Sequence, residues 1–447
     1  MRKPFVSLLM FVLLGAVPGP GQTASAQKPL ASVPAAERKL ISIKVTGSKR
    51  FSEDAIVAAS GLQIGAVIGD DDLKKAAQRL GNVGILTDVA YSYSYSSEGM
   101  KLELQVTEAQ KFVPVRFEDF VWFSDEELLR QIKERVPLFS GEVPVSGRLA
   151  EQLSDVLQAV LVQNGIPGNV EYEYTGKNNG PADSIVYRVA DILIQVHSVE
   201  FTGAAEAELP ALKAAAQRVV NTEYSRAVLG ALAQRQLLPV YHARGYLKAS
   251  FSDPQPKVVR KPSENAEGRR NQTIVDVVFA VTPGRQYKLK GIEWAGNHQL
   301  PTDTLQKMVR VQPGEPANTV RLEDNLKDIQ ELYGSRGYVA ATIKSEAEFD
   351  ESAGTALIHL NVAEGNQYHM GELQFRGLDN TLAEKLRNAW KIRPGDVYDA
   401  TYLHEYLTAA HKLLTAGLDW DVRSHVTANV QDKTVDVDLI FSVNAPK

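Results

Sequence analysis

The stretch Tyr287-Lys-Leu-Lys-Gly-Ile-Glu-Trp294, closed by a turn at Gly296-Asn297, opens the unit that sets the fold. Its apolar run suits a strand, and two helical patterns follow it. In the first, Leu305, Met308 and Val309 fall at i, i+3 and i+4 behind Thr302 and Asp303, whose side chains suit a helix N-terminus. Gln312-Pro313-Gly314 ends it, because proline cannot continue a helix and glycine tolerates the turn. In the second, Leu322, Leu326, Ile329 and Tyr333 form one stripe that stops at Gly337. Next come Tyr338-Val-Ala-Ala-Thr-Ile343, the turn-rich Asp350-Glu-Ser-Ala-Gly354, and Ala356-Leu-Ile-His-Leu-Asn-Val362. Ile358, Leu360 and Val362 alternate with His359 and Asn361, the period of a half-buried strand. The unit is strand, helix, helix, strand, strand.

That unit recurs. Gly296 follows its first strand, and Gly47, Gly203 and Gly377 stand at the same place, with Asp119 there in one further copy. Eighteen residues beyond this origin lie Gly65, Gly314 and Gly395. About forty residues beyond it, the second helix ends at Gly84-Ile85, Gly165-Ile166, Gly245-Tyr246, Gly337-Tyr338 and Gly417-Leu418. The joints also match: Val106-Thr-Glu-Ala-Gln-Lys-Phe112, Val281-Thr-Pro-Gly-Arg-Gln-Tyr287 and Val362-Ala-Glu-Gly-Asn-Gln-Tyr368. Agreement at several offsets in five copies means a repeat architecture.

The order of elements, the Gly-Tyr after the second helix and the Val-x-Glu-Gly joint resemble the POTRA domains of BamA-type outer-membrane protein assembly proteins. The resemblance covers about residues 40 to 445 and is strongest in the fourth and fifth copies. It implies an α+β fold, an elongated tandem array of five POTRA-like β-α-α-β-β domains at 40–109, 110–192, 193–284, 285–365 and 366–447. In that family the domains lead into a membrane β-barrel, whereas here the sequence stops at Phe441-Ser-Val-Asn-Ala-Pro-Lys447, where another joint would begin.

The N-terminus reads as an export signal. Arg2 and Lys3 precede the apolar run Phe5 to Val17, and Ala24-Ser25-Ala26 offers small residues for cleavage, giving a signal peptide at 1–26. Residues 27–39 read as a flexible leader. The sequence has no Cys, which excludes disulfides, thiol chemistry and thiolate metal sites. Each domain must therefore be held by its hydrophobic core, with help from its neighbours. The net charge of −5 is spread along the chain and argues against a nucleic-acid partner.

Asp70, Asp71 and Asp72 precede a helical stretch. Three adjacent carboxylates cannot wrap a cation, and they suit the positive end of a helix. No Gly-x-Ser-x-Gly elbow, phosphate-binding loop or zincin pattern occurs, since Thr408 stands where His404-Glu405 would need a second His. The expectation is a protein that is not an enzyme and takes no cofactor, metal or small-molecule substrate.

The candidate sites are sheet edges. In a strand-helix-helix-strand-strand unit the last two strands form a hairpin, and if the last also pairs with the first, the middle strand is left at the edge. Its unpaired N–H and C=O groups can receive an extended peptide. The expected edges are Val89 to Tyr95, Asn169 to Tyr174, Leu247 to Phe251 and Val339-Ala340-Ala341-Thr342-Ile343. In Val89-Ala-Tyr-Ser-Tyr-Ser-Tyr95, the side chains of Val89, Tyr91, Tyr93 and Tyr95 share one face, where they can also cover the helices. The first and fourth edges carry no Lys or Pro and are the preferred sites. In Phe117-Glu-Asp-Phe-Val-Trp-Phe123, Phe120 and Trp122 lack counterparts in the other copies, which marks them as candidate contacts with a neighbour. The run as a whole reads as an exposed sticky patch or a packed corner, and the corner is favoured because Phe117 and Phe123 match apolar positions in the other copies. Lys257, Arg260, Lys261, Arg269 and Arg270 fall in a long hairpin loop, which is either solvated or a point of peripheral contact with anionic membrane lipid.

The resemblance implies unfolded outer-membrane proteins, or β-barrel and assembly subunits, as partners, and a periplasmic location at the outer membrane. The alternative reading is an envelope spacer without clients.

Overall fold

A computed structural model describes residues 33–176, 180–260, 272–414 and 418–443. The signal segment, Asn178 and Asn179 of a hairpin loop, Lys261, Arg269, Arg270 and Gly417 lie outside the described residues.

The first repeat contains β1 (Leu40–Thr46), α1 (Glu53–Ser60), α2 (Asp70–Asn82), β2 (Leu86–Ser96) and β3 (Gly99–Glu108). The second contains β4 (Phe112–Phe117), α3 (Asp125–Arg135), the short β5 (Glu142–Pro144), α4 (Leu149–Gln163), β6 (Asn169–Thr175) and β7 (Ser184–Ala190). In the third are β8 (Leu193–Thr202), α5 (Leu209–Ala216), α6 (Arg226–Leu232), α7 (Leu238–His242), β9 (Ser250–Phe251), β10 (Gln255–Arg260) and β11 (Gln272–Thr282). The fourth has β12 (Lys288–Ala295), α8 (Thr302–Met308), α9 (Thr319–Gly334), β13 (Thr342–Asp350) and β14 (Thr355–Ala363). The fifth has β15 (His369–Arg376), α10 (Asn380–Ala389), α11 (Tyr402–His411), β16 (Trp420–Asn429) and β17 (Thr434–Val443).

Each repeat builds one sheet. The orders are β1-β3-β2, β5-β4-β7-β6, β10-β11-β8 with β9 on β11, β12-β14-β13 and β15-β17-β16. In the first, second, fourth and fifth sheets, the last strand runs parallel to the first and antiparallel to its hairpin partner. The chain packs as two compact units whose division passes through the third repeat, at Glu200, Gln217–Gly230 and Asp253–Phe279.

The core of the fourth repeat follows from its periodicities. Leu322, Leu326, Ile329 and Tyr333 of α9 bury one helical stripe on Ala356, Ile358, Leu360 and Val362 of β14, which point to the same side of the strand. The fifth repeat does the same with Tyr406 and Ala410 against Val435, Val437, Leu439 and Phe441. Asp70–Asp72 open α2, and Asp72 Oδ2 accepts the Gly69 N–H at 2.9 Å, a helix-capping role.

The origin glycines have a steric cause. Gly296 sits at φ +80°, and a Cβ there would lie 2.2 Å from the Val362 carbonyl oxygen. Gly47 meets Val106 and Gly377 meets Phe441 in the same way. The second repeat solves the turn differently. Asp119 is not among the positive-φ residues, and its Oδ1 accepts the Val189 N–H at 2.7 Å. The joint glutamates tie the same turns down: Glu108 Oε1 accepts from Ser48 Oγ and the Lys49 and Arg50 N–H groups. Glu364 Oε1 accepts from the Gln299 N–H and the Tyr333 hydroxyl.

The end of the second helix docks onto the next repeat. Gly245 and Gly337 offer their carbonyls to the Tyr287 and Tyr368 N–H groups, each at 2.8 Å. A Cβ at either glycine would come within 2.7 Å of the tyrosine carbonyl oxygen it faces. Leu247 then packs against the fourth core and Val339 against the fifth.

Three expectations change. Val339, Ala340 and Ala341 precede the edge strand: Val339 is a joint residue, the Ala341 N–H closes a turn on Tyr338, and the strand starts at Thr342. Leu247 likewise belongs to a joint, only Ser250–Phe251 of that expected edge is a strand, and β10 carries the third edge further, so Lys257 and Arg260 lie in a strand rather than a loop. The leader is structured by residue 33, with Val33 buried and Arg38 Nε bonded to its carbonyl oxygen.

Candidate functional site

The backbone at the open edge can be oriented from the glycine contacts. The Val362 carbonyl is aimed at Gly296 on the β12 side, away from β13. Val362 opposes Ile343 in an unbroken antiparallel register. That makes Ile343–Val362 a non-hydrogen-bonded pair, so the N–H and C=O of Ile343 point outward. By alternation, Ser345, Ala347 and Phe349 also point outward, while Lys344, Glu346 and Glu348 bond to β14. The fifth repeat repeats the pattern: Phe441 faces Gly377 and opposes Val422, so Ser424, Val426 and Ala428 point outward.

The outward-pointing residues place their side chains on the helix side of the sheet, since their partners are the buried residues of β14 and β17. Ile343 and Phe349 are half-buried there, but Ser345 and Ala347 between them are exposed. Ser424, Val426 and Ala428 are exposed in the fifth repeat. In both repeats the helices leave the middle of the edge strand uncovered.

The first two repeats differ. On β2, Tyr91 is buried and Tyr93 and Tyr95 are half-buried, all on the helix side opposite Leu104, Leu102 and Met100. Burial, and then the nearby Asp70 carboxylate at the start of α2, push the Tyr91 and Tyr93 hydroxyls above their ordinary range. On β6, Tyr172 stands 5.5 Å from the buried Tyr187 ring, and the Tyr174 hydroxyl donates to the Pro144 carbonyl at 3.0 Å. The β6 backbone is also occupied. The Val170 N–H bonds Gln158 Oε1 at 2.8 Å, and its carbonyl accepts Ser154 Oγ at 3.2 Å, both from α4. The third edge, β10, carries Pro256 and Lys257, residues that discourage strand pairing.

Residues 287–365 match the sequence model of the POTRA family, described as "Surface antigen variable number repeat". These residues form a POTRA domain. A Treponema pallidum (strain Nichols) protein named "Putative outer membrane protein assembly factor" is 26% identical over 158 residues, which is 35% of this chain and 18% of that protein. The chain thus matches less than a fifth of that relative's length. Similar solved structures include POTRA domains 3–5 of Haemophilus influenzae BamA, with 20% identity, 56% of this chain and 96% of that one covered, and a TM-score of 0.44. POTRA domains 1–3 of Omp85 from Anabaena give 18% identity, 56% and 96% coverage, and a TM-score of 0.25.

The POTRA domain holds Thr342 and Ile343 at the start of its edge strand, with the open part of that strand further on, at Ser345–Ala347. Sequence reading missed Ser345 and Ala347 because neither is large and apolar enough to mark a strand face. Val89, Tyr91, Tyr93 and Tyr95 do lie on an edge strand, where the rings fill the space beside it. Phe120, expected at a contact with a neighbour, is buried edge-on against Phe117 at 5.7 Å and packs the corner. Trp122 is half-buried, with its Nε1 unpartnered.

A cleft of about 230 Å³ opens beside this corner, lined by Phe117, Phe120, Tyr224, Glu118, Asp125 and Arg226 among others. Arg226 Nη1 donates to both Asp125 oxygens at 2.9 and 2.8 Å and to the Phe117 carbonyl at 3.2 Å, while Nη2 lies 3.3 Å from Asp253. Glu118 accepts the Ser225 hydroxyl and the Ala227 N–H at the start of α6. The arrangement clamps the second repeat to α6. Among the described residues, no group of three or more His, Asp or Glu is placed to hold a metal ion.

Proposed function

We propose that this protein is a periplasmic scaffold in outer-membrane protein assembly or transport. It receives extended segments of unfolded outer-membrane proteins, or of barrel and assembly subunits, by adding them to its sheet edges. The observation that carries this reading is the row of outward backbone groups at Ile343, Ser345 and Ala347 beside uncovered side chains. Backbone pairing of this kind gives affinity with little sequence preference, which suits many clients. The match of residues 287–365 to the POTRA family and the name of the Treponema pallidum relative support the setting. The role is binding rather than catalysis.

A spacer role is favoured for the second and third repeats by the Gln158 and Ser154 bonds to Val170 and by Pro256 on β10.

The test is a proline pair on β13. Ser345→Pro removes an outward donor and leaves the ladder to β14 intact, whereas Glu346→Pro removes a ladder bond and should unfold the domain's edge. Binding of a fluorescent unfolded β-barrel segment is followed by anisotropy, with circular dichroism as the check on folding. Ser345→Pro should weaken binding at least five-fold with the fold retained. Parental binding by folded Ser345→Pro and Ala347→Pro variants would leave the spacer reading in its place.

A further inference from the structure

The five edges are not equivalent, and the differences bear on what the open ones accept. We infer that the fourth repeat is a selective edge that takes an extended segment with large apolar side chains on its helix side and basic side chains on its outer side. The inference rests on the edge-pairing reading above and specifies the chemistry of the client.

The apolar preference follows from equivalent positions on the edge strands. In the first, second, fourth and fifth repeats the last strand supplies one residue against the origin turn: Val106, Val189, Val362 and Phe441. Their partners on the edge strands are Val89, Val170, Ile343 and Val422. Two and four residues further on, the edge strands carry Tyr91 and Tyr93, Tyr172 and Tyr174, Ser345 and Ala347, and Ser424 and Val426. In the first repeat Tyr91 and Tyr93 fill the space that Ser345 and Ala347 leave open in the fourth, while Tyr172 and Tyr174 of the second lie beside Tyr187 and Pro144 and stay partly exposed. A client strand paired with β13 would direct alternate side chains into that space. Rings or branched chains there would cover the exposed helix-side surface between Ile343 and Phe349, as Tyr93 does within the first repeat. The uncovered stretch has a defined end, because Phe349 is packed on the Tyr287 ring at 4.8 Å and covered by Lys248 at 4.5 Å.

The charge preference comes from the outer face. Lys344, Glu346, Glu348 and Asp350 point there, and Asp350 is engaged by the Ser352 and Ala353 N–H groups. Glu348 faces His359 at 3.2 Å, and His359 also faces Glu293 at 3.2 Å. With Glu346 beside them, the middle of this face is acidic, so basic client residues are favoured across from Glu346 and Glu348. The fifth edge has no such bias, since the acidic Asp421 is followed along it by the basic Arg423 and by His425.

The experiment uses the full chain and three end-capped nine-residue peptides: alternating Phe and Lys, alternating Ser and Lys, and alternating Phe and Glu. Affinity is measured by fluorescence anisotropy at two salt concentrations. The Phe/Lys peptide should bind at least ten-fold more tightly than either other peptide. Ala347→Tyr, which copies the first repeat's plug, should remove that preference. Glu346→Lys sits on the exposed face and cannot disturb the core, and it should weaken Phe/Lys binding several-fold, with a shallower salt dependence. Equal binding of all three peptides, unchanged by Ala347→Tyr and Glu346→Lys but lost in Ser345→Pro, would overturn this inference and leave edge pairing standing. If no peptide binds and unfolded barrel segments also fail to bind, edge pairing itself falls and the selectivity falls with it.

Discussion

Asp119 shows how one side chain can replace a glycine at some cost. Burial lifts its carboxyl from 3.8 to about 6, against the pull of the Val189 N–H, and Glu118 adds to the rise. The folded form therefore keeps this proton to a higher pH than the unfolded chain does. Its stabilising contribution is complete below about pH 4 and is lost as pH rises through 6. The size is at most about 3 kcal/mol for a shift of this order. Asp119→Asn keeps an acceptor for Val189 and has nothing to titrate. Relative to the parent, the variant should gain about 1–3 kcal/mol between pH 4 and pH 7, read from urea unfolding of the second repeat. Gly296 has no such alternative at φ +80°, because the Val362 oxygen occupies the place of a Cβ. Gly296→Ala should cost the fourth repeat about 2–4 kcal/mol, measured by the same unfolding assay.

Among the elements, the start of α6 depends most on a single cation. Arg226 gathers Asp125, Asp253 and the Phe117 carbonyl, and its guanidinium is mostly screened from water. Arg226→Met should lower stability by about 1–3 kcal/mol and speed amide exchange at the start of α6, seen by mass spectrometry. This clamp could not be read from the sequence, because Arg226 lies about a hundred residues from Asp125 and follows no periodic pattern. Much of the fold could be read. Stripes such as Leu322, Leu326, Ile329 and Tyr333 and alternations such as Val435, Val437 and Leu439 have the periods of their elements and became core. The edge strands were harder. Tyr338 to Ala341 looks like a strand because it is apolar, yet that character serves a turn and a joint. The true edge, Thr342–Asp350, alternates weakly because its Ser345 and Ala347 are left uncovered. Amphipathic patterns report burial, so an edge kept open for a partner is the part they mark least.

For the molecule as a whole, the question is how far neighbouring cores unfold together. Without cysteine, no covalent staple holds any repeat, and a core of this size is only marginally stable by itself. Repeat arrays gain cooperativity from their interfaces, so the joints determine the unfolding profile. Between the fourth and fifth repeats, the joint includes the Gly337 carbonyl on the Tyr368 N–H, the Gly334 carbonyl on the Ala400 N–H, the Arg336 carbonyl on Gln367 Nε2 at 3.0 Å, and Val339 against the fifth core. The two backbone bonds survive any side-chain change, which leaves Val339 as the adjustable apolar part. Val339→Ser removes roughly 1–2 kcal/mol of apolar contact and touches neither sheet ladder nor helix. The parent should unfold these two repeats in one transition. The variant should split it, with the fifth repeat melting first and the calorimetric enthalpy exceeding the van 't Hoff value. Were the split absent while overall stability fell, Val339 would be acting within the fourth repeat. The coupling would then rest on the Gly337 and Gly334 backbone bonds and on the Gln367 bond to the Arg336 carbonyl.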